Sequence, residues 1–450
     1  MSTPMTQAQY QRLSQRYRSA SPLLSMLIVF ALLSAFMVYV PVANGSFSGG
    51  GGALPDTMVQ LFGKILCFAL LAVAMDLVWG FCGILSLGHG AFFALGGYAI
   101  GMNLIYATAD EKLAQIADPI ARDEAVKQSI FSVVGQGEDP WPWFWLLADQ
   151  FWFQALMVLL VPGALAFAFG WLAFRSRVTG VYLSIITQAL TLALGYLFIM
   201  NEFGLRGNNG LSGLQNVLGA SMTEPSTKAL LFLASGAALM IGYALTLFLT
   251  RSKFGNVIRG IRDDEDRVRF LGYQVEGYKV FTFVVSAMLA GVAGALFAPQ
   301  AGIINPDSFG PLKSIEIAVW VALGGRGMIY GAIVGAVTAN LLRSALTGGW
   351  INTIGFGAVS IDVSGVPWPE FWPIVLGLMF VVVTLFLPRG IMGLWHDVVG
   401  WLWRRGVEPM LIGPAASSGA EEPGPDAARE PEPAAPAVPP RGAGEVVASA

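Results

Sequence analysis

Apolar runs of membrane-spanning length recur along this chain, and they restrict its fold more than any other feature. A bilayer core about 30 Å thick requires roughly 20 apolar residues per helix. The sequence offers such runs near 23–40, 58–79, 151–174, 179–199, 229–249, 280–298, 314–346 and 371–387. Only 12% of the residues are charged, against about 25% in an ordinary soluble domain. The charges are segregated into loops, so the net charge of −3 gives no sign of a nucleic-acid partner. The expected fold is an all-α polytopic membrane protein with about ten transmembrane helices.

The amino terminus could be mistaken for a secretory signal, with Arg12, Arg16 and Arg18 ahead of an apolar run. That run, Leu23–Val40, is 18 residues, longer than the usual signal core of about 7–15. It is read as a retained first span. Positive charge collects at 12–18, 175–177, 251–279 and 389–405, which places these segments and both termini on the cytoplasmic side. The resulting division is a cytoplasmic segment 1–22, a transmembrane domain 23–395 and a cytoplasmic tail 396–450. The tail is Pro/Ala/Glu-rich from about Gly413 and is expected to stay disordered.

Glycine interrupts the apolar pattern in two places. Gly80, Gly83, Gly88 and Gly90 break the second run, and GGRG at 324–327 breaks a later one. Non-helical backbone at membrane depth persists only when buried in protein or lining a cavity. Paired interruptions in the two halves of a transporter point to a central path for solute. The prolines 299, 306 and 311 are expected to end the helix of span seven. Lys64 and Asp76 lie near the ends of span two, where snorkelling to the interface is the expectation. Cys67 and Cys82 sit in apolar surroundings and read as packing residues. Segment 107–150 is an external insertion with eight acids and three bases, ending in the WPWFW cluster.

The longest charged stretch, 251–279, carries seven Lys/Arg and five acids around a narrow stripe of Val257, Ile258, Ile261, Val268 and Leu271. That is the pattern of an amphipathic helix on the cytoplasmic face. Its mixed charge suits a groove in a partner protein better than lipid headgroups, which favour a basic face.

Candidates for the solute path carry two readings each. His89 is either a hydrogen-bonded interfacial histidine or a proton relay, and Asn208 and Asn209 are either turn residues or solute contacts. Glu316 is either structural or solute-binding, and Asn305, Gly324 and Gly325 complete the candidate path. No GxxxxGK[ST], HExxH, CxxC or Gly-x-Ser-x-Gly is present, so P-loop nucleotide binding and metal or serine hydrolysis lack support. The spans are nearly charge-free, which suits a neutral or zwitterionic solute and leaves the driving energy to be supplied elsewhere.

The stretches GILSLGHGAFFALGGYA (83–99), RSKFGNVIRGIRDDE (251–265), YKVFTFVVSAMLAGVAGALFA (278–298) and ALGGRG with GAIVGA (322–336) resemble permease subunits of ATP-binding-cassette importers of the branched-chain amino acid family. The resemblance covers about 61–394. Within that family, RVRFLGY (267–273), PQAGIINP (299–306), SIEIAVWVALGGRG (314–327) and the FGLRGNNGL loop (203–211) are similar to urea-transporting members.

The resemblance implies a homologous second permease, two cytoplasmic ATP-binding subunits, an external solute-binding protein and the bacterial inner membrane. This chain itself would bind no cofactor and catalyse no reaction, the ATP being held by the partner subunits. Residues 255–272 would be the coupling helix, with Arg259, Arg262, Asp263, Glu265 and Arg267 as its contacts. A branched-chain amino acid permease of the same family is the alternative for cargo. An ATP-independent secondary transporter or channel is the alternative for mechanism.

Overall fold

The computed structural model describes residues 27–46, 52–132, 142–145, 147–178, 180–200, 205–214, 216–348, 353–356, 359–362, 367–387, 389–395 and 397–398. The expectations for segment 1–22 and for the tail beyond 398 lie outside the described residues, as does most of the Gly-rich loop 44–52. Residues Pro22–Asp397 form one compact unit.

Nine helices among the described residues are long and apolar enough to cross a membrane. They are α1 (Leu27–Asn44), α2 (Asp56–Asp76, extended by a π-helical turn Leu77–Phe81), α3 (His89–Lys112), α5 (Phe151–Arg175) and α6 (Gly180–Ile199). The set is completed by α7 (Pro225–Arg251), α10 (Val275–Ala301), α12 (Ile329–Thr347) and α13 (Trp368–Phe386). Four shorter helices complete the series: α4 (Pro119–Ser132), α8 (Lys253–Asp263), α9 (Glu265–Phe270) and α11 (Pro311–Gly324). The fold is an all-α polytopic membrane protein. Its only strands among the described residues are three short antiparallel pairs: β1 (Leu211–Ser212) with β4 (Ile303–Ile304), β2 (Asn216–Val217) with β3 (Ala220–Ser221), and β5 (Thr353–Phe356) with β6 (Val359–Asp362).

Helices α2, α3 and α10 make the centre, with α5, α7, α11 and α12 packed round them. Small residues allow this closeness. A Cβ on Gly294 of α10 would stand 1.8 Å from the Phe93 carbonyl of α3, and one on Gly96 would stand 2.0 Å from the Gly291 carbonyl. The two backbones therefore touch, as small-residue interfaces permit in membranes. Rings fill the remaining space, Phe92 and Phe283 meeting edge to face at 5.4 Å. By contrast α6 and α13 turn most of their apolar side chains outward, as lipid- or partner-facing helices do.

Two expectations change here. Pro299 lies inside α10, which runs on to Ala301 and ends at Gly302 with φ +73°. The proline falls in the last turn, where one lost backbone hydrogen bond disrupts little. Asp76 does not snorkel. It is fully buried, and its Oδ1 accepts a 2.8 Å bond from the Gly327 amide. Cys67 and Cys82 are free and buried, as packing residues.

Candidate functional site

The interruption at 82–88 leads into α3. Its backbone groups are bonded by a hydroxyl stripe on α6, which accounts for its survival at membrane depth. Ser184 donates to the Leu85 carbonyl at 2.7 Å, and the Leu87 amide donates to Thr187 Oγ1 at 3.0 Å. Thr191 Oγ1 donates to the Leu87 carbonyl at 3.3 Å.

A second interruption lies at 302–310, a short extended stretch Ile303–Ile304 followed by a 3-10 turn Pro306–Phe309. Ile304 of this segment packs on Gly97 and Gly101 of α3, and Phe309 packs on Tyr98 and on Phe198 of α6. The segment therefore runs alongside the outer halves of α3 and α6 before α11 begins. With 14 residues α11 spans only about 21 Å, short of a full bilayer. Residues 302–324 add one broken segment to the nine long helices found among the described residues. The expected partner of the 82–88 break, GGRG at 324–327, is instead the tight turn joining α11 to α12, with Gly325 at φ +119° and Gly327 at φ +79°.

The two broken segments meet where their helices start. The Gly90 amide donates to Ser314 Oγ at 3.4 Å, and a Cβ on Gly90 would stand 3.2 Å from the Ser308 carbonyl. Thus the amino ends of α3 and α11 converge beside α6, with buried Ser86, Thr187, Thr191 and Ser314 close by. Half-helix amino ends concentrate positive potential and unpaired amides, as interrupted crossings do at solute sites in transporters.

Toward the loop side, a cavity of about 880 Å³ opens between segment 82–87, α6 and the charged loop. Gln188 lines it, and its side-chain amide is buried with no protein partner. The charged mouth of the cavity is the segment predicted as one helix over 255–272. The structure divides it at Asp264, whose backbone is extended (φ −159°) and whose carboxylate caps α9 by accepting from the Arg267 amide at 3.0 Å. An N-cap carboxylate of this kind stops one helix and starts the next.

The candidate coupling residues divide into two groups. Arg259 donates to the Thr250 carbonyl at 2.7 Å and lies over the Phe81 ring. Arg262 donates to the Gly80 carbonyl at 2.9 Å. Glu265 pairs with Lys279 and, at 2.8 Å, with Arg269. Burial pushes the Glu265 carboxyl up, but the bonds from Lys279 and Arg269 outweigh this and hold it below its ordinary value. These three bind the loop to its own bundle. Asp263 and Arg267 face outward, and beyond them Phe270 is 92% and Leu271 72% exposed.

The path candidates do not form one site. His89 is buried, and its Nε2 lies 2.7 Å from Ser286 Oγ. Ser286 itself donates to the Ala74 carbonyl, so the imidazole ties α3 to α10 and α2. Asn208 and Asn209 are exposed in a short turn. Gly324 is packing backbone, a Cβ there standing 1.8 Å from the Gly331 carbonyl, and Gly325 lies against the Arg389 carbonyl. Asn305 and Glu316 do share a second cleft, of about 580 Å³. Glu316 is held there through both oxygens by Lys313 at 3.0 Å, Arg343 at 3.1 Å and Trp372 Nε1 at 3.0 Å. Lys64, the other end of the expected snorkelling pair, is half-buried on α2. No group of three or more metal-ligating side chains occurs among the described residues.

Residues 57–384 match the family model described as branched-chain amino acid transport system / permease component. The chain belongs to this family. The permease is 24% identical over 358 residues to the high-affinity branched-chain amino acid transport permease protein LivM of Salmonella typhimurium, covering 74% of this chain and 69% of the relative. It is 26% identical over 333 residues to BraD of Pseudomonas aeruginosa, covering 72% and 91%, respectively. Escherichia coli LivH is 25% identical over 337 residues, with the same coverage of 72% and 91%. No solved structure matches the permease.

The permease is therefore a multi-pass inner-membrane protein. The sequence reading did not include the α6 hydroxyl stripe. Its signal was legible as Ser184, Thr187 and Thr191 at three- and four-residue steps in an otherwise apolar span. Gln188 follows the same face one residue on.

Proposed function

We propose that this chain forms half of the translocation pore of an ATP-driven importer of branched-chain amino acids. A homologous permease would supply the other half. Two cytoplasmic ATP-binding subunits would drive it and an external solute-binding protein would deliver cargo, with no cofactor on this chain. The observation that carries the reading is the convergence of α3 and α11 amino ends beside the hydroxyl stripe of α6. That arrangement offers the positive ends of two helices to a carboxylate, and hydroxyls to an ammonium group. The relatives' names support the cargo class.

The exposed Phe270–Leu271 edge, with Asp263 and Arg267, is the surface offered to the ATP-binding subunit. Large apolar side chains held out in water beside charges suit a protein groove. The roles of Arg259, Arg262 and Glu265 are then to make loop and bundle move together.

Urea is the second reading, favoured by the 880 Å³ cavity, whose part within the membrane presents the neutral amide of Gln188 and the hydroxyl of Ser184. Two of the four stretches that suggested urea, 203–211 and 299–306, are joined through an antiparallel pair, Leu211 opposite Ile304. Their likeness to urea transporters is therefore a likeness in packing. Uptake of labelled leucine and labelled urea by cells with and without this gene decides between them. Loss of leucine uptake alone is expected; loss of urea uptake alone transfers the assignment to urea.

A further inference from the structure

Beneath the converging helix ends, three chain segments remote in sequence meet around Asp76. Gly80, at the π-helical end of α2, offers its carbonyl to Arg262 of the charged loop at 2.9 Å. The Gly327 amide, in the α11–α12 turn, donates to Asp76 Oδ1 at 2.8 Å. The fit leaves no slack, since a Cβ on Gly80 would stand 2.1 Å from Asp76 Oδ1 and 2.5 Å from the Gly327 nitrogen. Arg326 adds a cation–π contact to Trp79 at 5.4 Å, and Gly83, which opens the first break at φ +77°, lies against the Arg262 side chain. Asp76 Oδ2 is buried with no protein partner. The Arg262 Nη1 that holds Gly80 lies 3.7 Å from where a Gly327 Cβ would be.

We propose that Arg262 and Asp76 are a transmission pair, through which the cytoplasmic loop drives α11 as well as the two helices α7 and α10 that flank it in sequence. This rests on the ATP-driven reading above. In the state described here Arg262 holds the Gly80 carbonyl. When the loop shifts, Arg262 moves to the open oxygen of Asp76, whose other oxygen holds the 325–328 turn. A buried carboxylate with one oxygen unpaired beside a guanidinium that already has a partner is an element with two pairings. Only such an element, paired differently in two states, can pass nucleotide binding on to a distant site. The far end of α11 carries Ser314, against the Gly90 amide at the start of α3. A displacement of the turn thus reaches the converging helix ends along a rod of 14 residues.

The test has two independent arms on the full-length chain in lipid nanodiscs and in the complete importer. In nanodiscs, amide hydrogen exchange of residues 325–328 is followed in the native chain, Arg262→Met, Asp76→Asn and the double variant. Arg262 makes no bond to that turn in this state, so a local role leaves its exchange untouched. The pair predicts exchange about tenfold faster in Arg262→Met, the effect of roughly 1.4 kcal/mol, with the double variant no faster than the faster single one. Unchanged exchange in Arg262→Met, or fully additive effects, overturns the pair. In the importer, Asp76→Asn is expected to raise ATP hydrolysed per solute moved by at least about threefold, and an unchanged ratio overturns the proposal. If the native importer moves no solute with ATP, the functional reading fails, while the exchange arm still reports on the pair.

Discussion

Among the described residues two carboxylates are buried, and they are treated in opposite ways. Glu316 on α11 has both oxygens bonded: Lys313 on one, Arg343 and Trp372 on the other. These partners come from α11, α12 and α13, so the group fastens three helices. Asp76 on α2 has one backbone amide and a vacant oxygen, with arginines nearby that already have other contacts. Removing a partner from a buried pair leaves an uncompensated charge. A half-satisfied carboxylate is less stabilising and freer to exchange partners. The comparison separates a static joint beside the outer cleft from a movable one beside the charged loop.

The sharpest way to break that contrast is Glu316→Leu. It strands Lys313 and Arg343, and a loss of about 3–5 kcal/mol is expected, read as a large fall in the thermal midpoint of the purified protein. A fall no greater than that of Asp76→Asn would make the two joints equivalent. Arg343→Met is the milder cut, since this side chain is 39% exposed and Glu316 keeps Lys313. About 1 kcal/mol is expected by the same measurement.

Asp76→Asn should cost no more than about 1 kcal/mol, because the remaining carbonyl oxygen still accepts from Gly327. A midpoint drop as large as that of Glu316→Leu would make Asp76 a static joint too. The smallest effect concerns pH. Glu265 has a lowered folded value, so its contribution is present above the ordinary carboxyl range and lost as pH falls through the folded value. Hydrogen exchange across 252–274 should therefore quicken on acidification in the native chain, and Glu265→Gln should flatten that response.

Much of the fold was legible because the membrane enforces it. The long spans and the break near 82–88 follow from apolar length and glycine placement. What was not legible depends on contacts across hundreds of residues. Asp76 reads as an interfacial acid until Gly327, 251 positions away, is seen to bond it. The 302–310 segment reads only as a proline-marked helix end, since nothing local reveals that Ile304 lies on α3 and Phe309 between α3 and α6. The division of the charged helix at Asp264 did leave a trace: an acid three residues before Arg267, with Glu265 and Asp266 in the first turn and Arg269 in the last, is a helix start and stop. The charged residues that suggested partner contact are largely used internally, and the two apolar ones beyond them are exposed.

The central claim is that solute movement through this permease is driven from the cytoplasm through loop 252–274. The most direct test is ATP-dependent uptake of labelled leucine and labelled urea by proteoliposomes holding the complete importer, with native chain or Phe270→Asp/Leu271→Asp. Both side chains are exposed, so the variant should insert normally. The account predicts that uptake of the transported solute falls at least tenfold and that the ATP-binding subunits no longer co-purify. Uptake at the native rate with that edge replaced, or equally fast without ATP, would contradict it.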